Sequence, residues 1–148
     1  MSLCVECGLC CDGTLFQRVP LAVDEAARLP RALTLADGQL VQPCGALDGC
    51  RCTIYADRPS TCRTYACLVL TSLETGRISE RDARGALAEV RAARAEVARL
   101  NAGALDERQA LTEAREKLAR GEASDDLRAA LSRLARLALL LQLPPAAR

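Results

Sequence analysis

The chain contains no histidine and no tryptophan, and it has only one phenylalanine and two tyrosines. Without imidazole there is no common general base, no His-containing zinc hydrolase pattern and no Cys–His nucleophile pair. With so few aromatic rings and a formal net charge of +1, the sequence offers neither a stacking platform nor a basic field for nucleic acid. No Gly-rich dinucleotide or phosphate loop is present. No apolar run approaches the roughly 18 residues that would suggest a membrane helix, and Met-Ser-Leu-Cys does not read as a secretory leader. The expected location is the cytoplasm, and the expected partners exclude nucleic acid and membrane.

What the chain does have is nine cysteines in 148 residues, all within the first 67. A reducing compartment disfavours disulfides, so clustered thiols point to metal binding or redox chemistry. The segment "CVECGLCC" places Cys4, Cys7, Cys10 and Cys11 within eight residues, and "CGALDGCRCTIYADRPSTCRTYAC" adds Cys44, Cys50, Cys52, Cys62 and Cys67. Cys4-x2-Cys7 lets two sulfurs converge on one cation. Cys10 extends the run to C-x2-C-x2-C, the first three positions of the bacterial ferredoxin pattern, which then fails because Cys11 follows directly. Adjacent thiols are awkward ligands for one tetrahedral ion, so the early cluster needs partners from the later one.

The rest of the chain divides into two regimes. Residues 1–75 are crowded with Gly and Pro, which leaves room for little beyond short helices, expected at Asp24–Leu29 with Asp24 as cap, and from Thr61 to about Thr71. Residues 76–148 are rich in Ala, Leu, Arg and Glu. Ser79 and Asp82 form a capping-box start, and Ala86, Val90, Ala93, Val97 and Leu100 make an apolar helical stripe ended by Asn-Ala-Gly. A second helix is expected from about Leu105 to Arg120, with Leu111, Ala114 and Leu118 on its stripe and Gly121 after its end. A third, from Ser124 or Asp125, carries Leu127, Leu131, Leu134, Ala138 and Leu141 before Pro144-Pro145. The expected fold is mainly α: a small loop-rich cysteine-cluster module over 1–75, then a short antiparallel helical bundle over 76–148 packing with it. Each helix is only about two heptads long, which favours an intramolecular core over a dimerising coiled coil. Monomer and homodimer both remain open.

Eight thiols suit two closed four-cysteine sites, or one iron–sulfur cluster beside one zinc site. The motif described next includes Cys4, Cys7, Cys10, Cys11, Cys44, Cys52, Cys62 and Cys67, which are the expected ligands, and leaves Cys50 as the spare. Two zinc ions on eight thiolates would take the formal charge from +1 to −3. Arg51, Arg58 and Arg63 lie among the later cysteines and are candidates to offset the site's negative charge, with surface pairing to Asp48 and Asp57 as the alternative. Tyr55 and Tyr65 are expected to lay their rings over the sulfurs.

"CVECGLCC", Cys44 and "CTIYADRPSTCRTYAC" together resemble the YkgJ-type cysteine-cluster family, whose signature is C-x2-C-x2-C-C. The match includes Gly8, Ile54-Tyr55, Arg58-Pro59, and Cys62, Arg63, Tyr65 and Cys67, over about residues 4–67. The resemblance implies chelation of zinc or iron but supplies no reaction. The expected function is therefore a metal-binding protein with a structural or interaction role through an unnamed protein partner, holding two zinc ions. The alternatives are an electron-transfer or redox-sensing protein with a [4Fe–4S] cluster, and a metal carrier or iron-dependent enzyme component. No catalytic residue is assigned, and an enzymatic role is not expected.

Overall fold

The computed structural model describes residues 3–30, 33, 37–101 and 107–142. It is mainly helical, as expected, with two small antiparallel sheets. The chain forms two compact units, Met1–Ala66 and Cys67–Arg148.

The first unit is built from short pieces, because Gly or Pro interrupts most of its segments. Helix α1 (Leu3–Cys7) is one turn long. Strand β1 (Arg18–Pro20) pairs with β2 (Gln39–Val41), Val19 opposite Leu40. Between them lies α2 (Val23–Arg28). Strands β3 (Leu47–Asp48) and β4 (Arg51–Cys52) form a hairpin around Gly49-Cys50, followed by a 3₁₀ turn at Tyr55–Asp57 and helix α3 (Ser60–Thr64). A small core of Val19, Leu33, Leu40, Cys44, Ala46 and Leu47 sits among these pieces.

The expected helix through Thr61 and Thr71 is two helices. Helix α3 stops at Thr64, and α4 (Leu68–Glu74) begins after an extended Cys67, whose Sγ accepts from the Leu70 N–H at 3.5 Å. The break exists because Cys67 caps the second helix, which requires it to leave helical geometry. Asp24 is likewise inside α2 rather than its cap. It pairs with Arg28, and the Ala22 N–H donates to Glu25 Oε2 at 3.3 Å.

The second unit comprises α4, α5 (Glu80–Leu100), α6 (Glu107–Ala119) and α7 (Asp125–Gln142). Ser79 and Asp82 make the expected capping box, with the Asp82 N–H donating to Ser79 Oγ at 3.1 Å and the Ser79 N–H to Asp82 Oδ2 at 3.2 Å. The buried stripe of α5 is Ala83, Leu87, Val90, Ala93, Arg94 and Val97, so Ala86 and Leu100 flank the expected stripe instead of centring it. On α6, Ala110, Leu111 and Ala114 are buried, whereas Leu118, one turn on, is exposed. Gly121 takes the left-handed backbone (φ +74°) that ends α6. Its N–H bonds to the Leu118 carbonyl and that of Glu122 to Lys117, a Schellman closure. On α7 all five expected positions, Leu127, Leu131, Leu134, Ala138 and Leu141, are buried. The expected helix start at Leu105 and the stop at Pro144-Pro145 lie outside the described residues.

The stripes of α5, α6 and α7 meet to form this unit's core. At the end of α5, Asn101 is almost wholly buried: its amide donates to the Ala110 carbonyl at 3.2 Å, and Lys117 Nζ donates to its Oδ1 at 2.6 Å. Among the described residues no helix is long and apolar enough to cross a membrane.

Candidate metal centre

Gly8 organises the first cysteine run. Its left-handed backbone (φ +70°) ends α1 just after Cys7, and its carbonyl accepts the Cys11 and Asp12 N–H groups at 2.9 and 3.0 Å. This turn separates the neighbours Cys10 and Cys11 from the helix bearing Cys4 and Cys7. A Cβ at Gly8 would stand 3.3 Å from Cys50 Cα, so the residue also lets the β3–β4 hairpin tip approach closely. Asp12 tightens the turn by accepting the Thr14 N–H at 2.8 Å.

The Cys11 carbonyl then accepts the Cys44 N–H at 2.7 Å, which brings the early run to the later one. The Cys44 carbonyl accepts from Leu47, the first residue of β3, and the hairpin sets Leu47 opposite Cys52. Thr53 donates to the Ala46 carbonyl from both its N–H (2.8 Å) and its Oγ1 (3.0 Å). Helix α3 brings Cys62 to the same place. Cys11, Cys52 and Cys62 all pack against the small core that contains Cys44. These four residues span 52 positions of sequence, yet they occupy one partly buried patch.

Electrostatics reports the same gathering. Burial, followed by the Cys44, Cys62, Cys52 and Cys4 thiolates, pushes the Cys11 thiol up from 9.0 to about 12. Cys44 is raised mainly by burial, with a further contribution from Cys52. Cys62 is raised by burial and then by Cys44 and Cys52, while Arg58 pulls it partly back. Several sulfurs in one half-dry patch cannot all ionise unless a cation joins them.

Of the eight expected ligands, Cys11, Cys44, Cys52 and Cys62 are thus brought together. Cys4, exposed on α1, is near enough to affect Cys11. Cys7 ends α1 and Cys10 lies in the turn after it, both half-buried. Cys67 belongs to the second unit as the cap of α4. Cys50 is exposed at the hairpin tip. None of the nine is in a disulfide. Among the described residues, no three Cys, Asp or Glu side chains stand at ligating geometry as they are. The donor set nevertheless fits a thiophilic ion, with four soft sulfurs, partial burial and mutual repulsion that a dication would reverse.

The supporting shell differs in part from expectation. The Arg58 guanidinium lies 3.5 Å over the Tyr55 ring and donates from Nε to the Tyr55 carbonyl at 2.9 Å, leaving its charge close enough to favour the Cys62 thiolate. Tyr55 is therefore an exposed platform for Arg58 rather than a cover for sulfur. The Tyr65 ring meets Phe16 edge-on at 4.9 Å, and Phe16 in turn packs on the core around Cys44. The Arg63 charge acts on Glu25.

Sequence reasoning missed Glu25. Its Oε1 accepts the Ser60 N–H at 2.6 Å and its Oε2 the Ser60 hydroxyl at 3.1 Å, contacts that hold the carboxyl below its ordinary range. The sequence signal was slight: a glutamate in the first turn of α2 and a serine at the start of another short helix, 35 residues apart.

No curated protein and no solved structure matches the chain. A family profile does, over residues 3–84, which extends the resemblance through α4 into the first turn of α5. That span is more than half of the chain and contains every cysteine, so the protein belongs to the C-x2-C-x2-C-C family, described as a "Putative zinc- or iron-chelating domain".

Proposed function

We propose that the protein is a zinc-binding module in which Cys11, Cys44, Cys52 and Cys62 hold one ion, and that its role is structural, presenting the first unit to a protein partner. The observation that carries this reading is the meeting of those four thiols in one half-buried patch. Bound zinc would supply folding energy, on the order of 10 kcal/mol or more, to a unit with few aromatics and, among its described residues, only short elements. Ligation requires the thiols to lose their protons and the side chains to turn inward. Cys4, Cys7 and Cys10 provide three further donors for the second ion expected from the sequence. The absence of histidine removes the commonest general base and every His-containing zinc hydrolase pattern, which favours a structural ion over a hydrolytic one.

A second reading, a [4Fe–4S] cluster in electron transfer or redox sensing, is favoured by the C-x2-C-x2-C run of Cys4, Cys7 and Cys10. Metal and acid-labile sulfide analysis of aerobic and anaerobic preparations separates the two. Colourless protein with stoichiometric zinc is expected, and brown protein with labile sulfide overturns the zinc assignment. Cys44→Ser and Cys62→Ser should each lose metal, and undiminished metal in both would remove the four-thiol site.

A further inference from the structure

Between Cys11 and Cys44 the chain runs for 32 residues without a sulfur. Part of that stretch contacts the helix that bears Cys62. Helix α3 has only five residues, far too few to be stable alone, so its place depends on external contacts. Two of these come from the cysteine-free stretch. Thr61 Oγ1 donates to the Pro20 carbonyl at 3.0 Å, and Ser60 donates to Glu25 from both its N–H and its hydroxyl. Glu25 is itself fixed, because its Oε2 also accepts the Ala22 N–H at the start of α2. One carboxylate therefore links the first turn of α2 to the first turn of α3, two residues before Cys62.

We infer that Glu25 is a positioning residue for Cys62: it fixes the start of α3 so that this thiol faces Cys11, Cys44 and Cys52. The inference rests on the proposed four-thiol site. Residues that orient metal ligands without touching the metal typically alter affinity by about 10–100-fold when removed. Glu25 would act in this way through the backbone of α3, since its bonds go to Ser60.

The test uses the full chain and the variants E25A and E25Q. Zinc affinity is measured by competition with a chelator, and the alkylation rates of Cys62 and Cys52 are measured by mass spectrometry in the metal-free chains. In E25A, zinc should bind about 10–100-fold more weakly, and Cys62 should react faster while Cys52 keeps its rate. E25Q should recover most of the affinity, because an amide oxygen still accepts the Ser60 N–H. General loosening of the unit would accelerate both thiols together, and that result overturns the inference. So does zinc affinity in E25A within about threefold of the unaltered chain. If the unaltered chain binds neither zinc nor iron, the four-thiol reading fails by itself, while the Cys62-to-Cys52 ratio still decides whether Glu25 positions Cys62.

Discussion

The two units solve the same shortage in different ways. Both are short of the large aromatic side chains that usually fill a core: the second unit has none, and the first has three, of which Phe16 packs on its core. The second unit compensates with length and period: α5, α6 and α7 run for 21, 13 and 18 residues, and their Leu, Val and Ala stripes close on one another. Among its described residues the first unit has no element longer than six residues, and its small core contains a cysteine with three more packed against it. Its order comes from brackets between distant residues, such as Cys44 to Cys11 and Ser60 to Glu25. A repeating stripe distributes stability over many interchangeable contacts, whereas brackets concentrate it in a few that have no substitute.

Metal removal should break this comparison most severely. Chelation is expected to cost the first unit on the order of 10 kcal/mol, so amide exchange protection at Leu40 and Leu47 should vanish while that at Val90 and Leu134 persists. Simultaneous loss in both regions would show that the units are not energetically distinct. Leu134→Ala tests the opposite side. It empties a nearly inaccessible position in α7 and should destabilise the helical unit by about 2–5 kcal/mol in urea melts, with bound metal unchanged.

A smaller effect is expected from acid on the α5 capping box. Ser79 Oγ, followed by the Ser79 N–H, holds the Asp82 carboxyl below its ordinary value, so its contribution is complete above the usual aspartate range and is lost as pH falls through its lowered value. An acid titration followed by circular dichroism should lose part of this dependence in Asp82→Asn. Cys50→Ser should do least of all. Cys50 lies exposed at the hairpin tip, and stoichiometric metal in the variant would match the expectation that it is the spare thiol. Loss of metal there would mean that the tip takes part in the site.

The helical unit was the more legible of the two. The Ser79–Asp82 cap, Gly121 and the five positions on α7 are local signals, set by residues three or four apart, and the structure has each of them. Leu118 shows the limit: it has the right period, but nothing local records that its side chain is left exposed. The first unit was legible in composition and motif. The same reading put Asp24 at a cap and carried one helix from Thr61 to Thr71, because neither the Glu25–Ser60 bracket nor the extended backbone at Cys67 has a local signature.

By itself, the sequence determined the division into a cysteine-rich segment and a longer-helix segment, the family, and the boundaries that depend on caps and left-handed glycines, since these follow from near neighbours along the chain. Only the tertiary structure decided that Cys11, Cys52 and Cys62 pack on the one small core that contains Cys44, and that Glu25 rather than Asp24 holds the start of α3. Both depend on where the chain returns after more than thirty residues. That return is set by the turn at Gly8, the β1–β2 pairing and the β3–β4 hairpin acting together, and no single spacing encodes it.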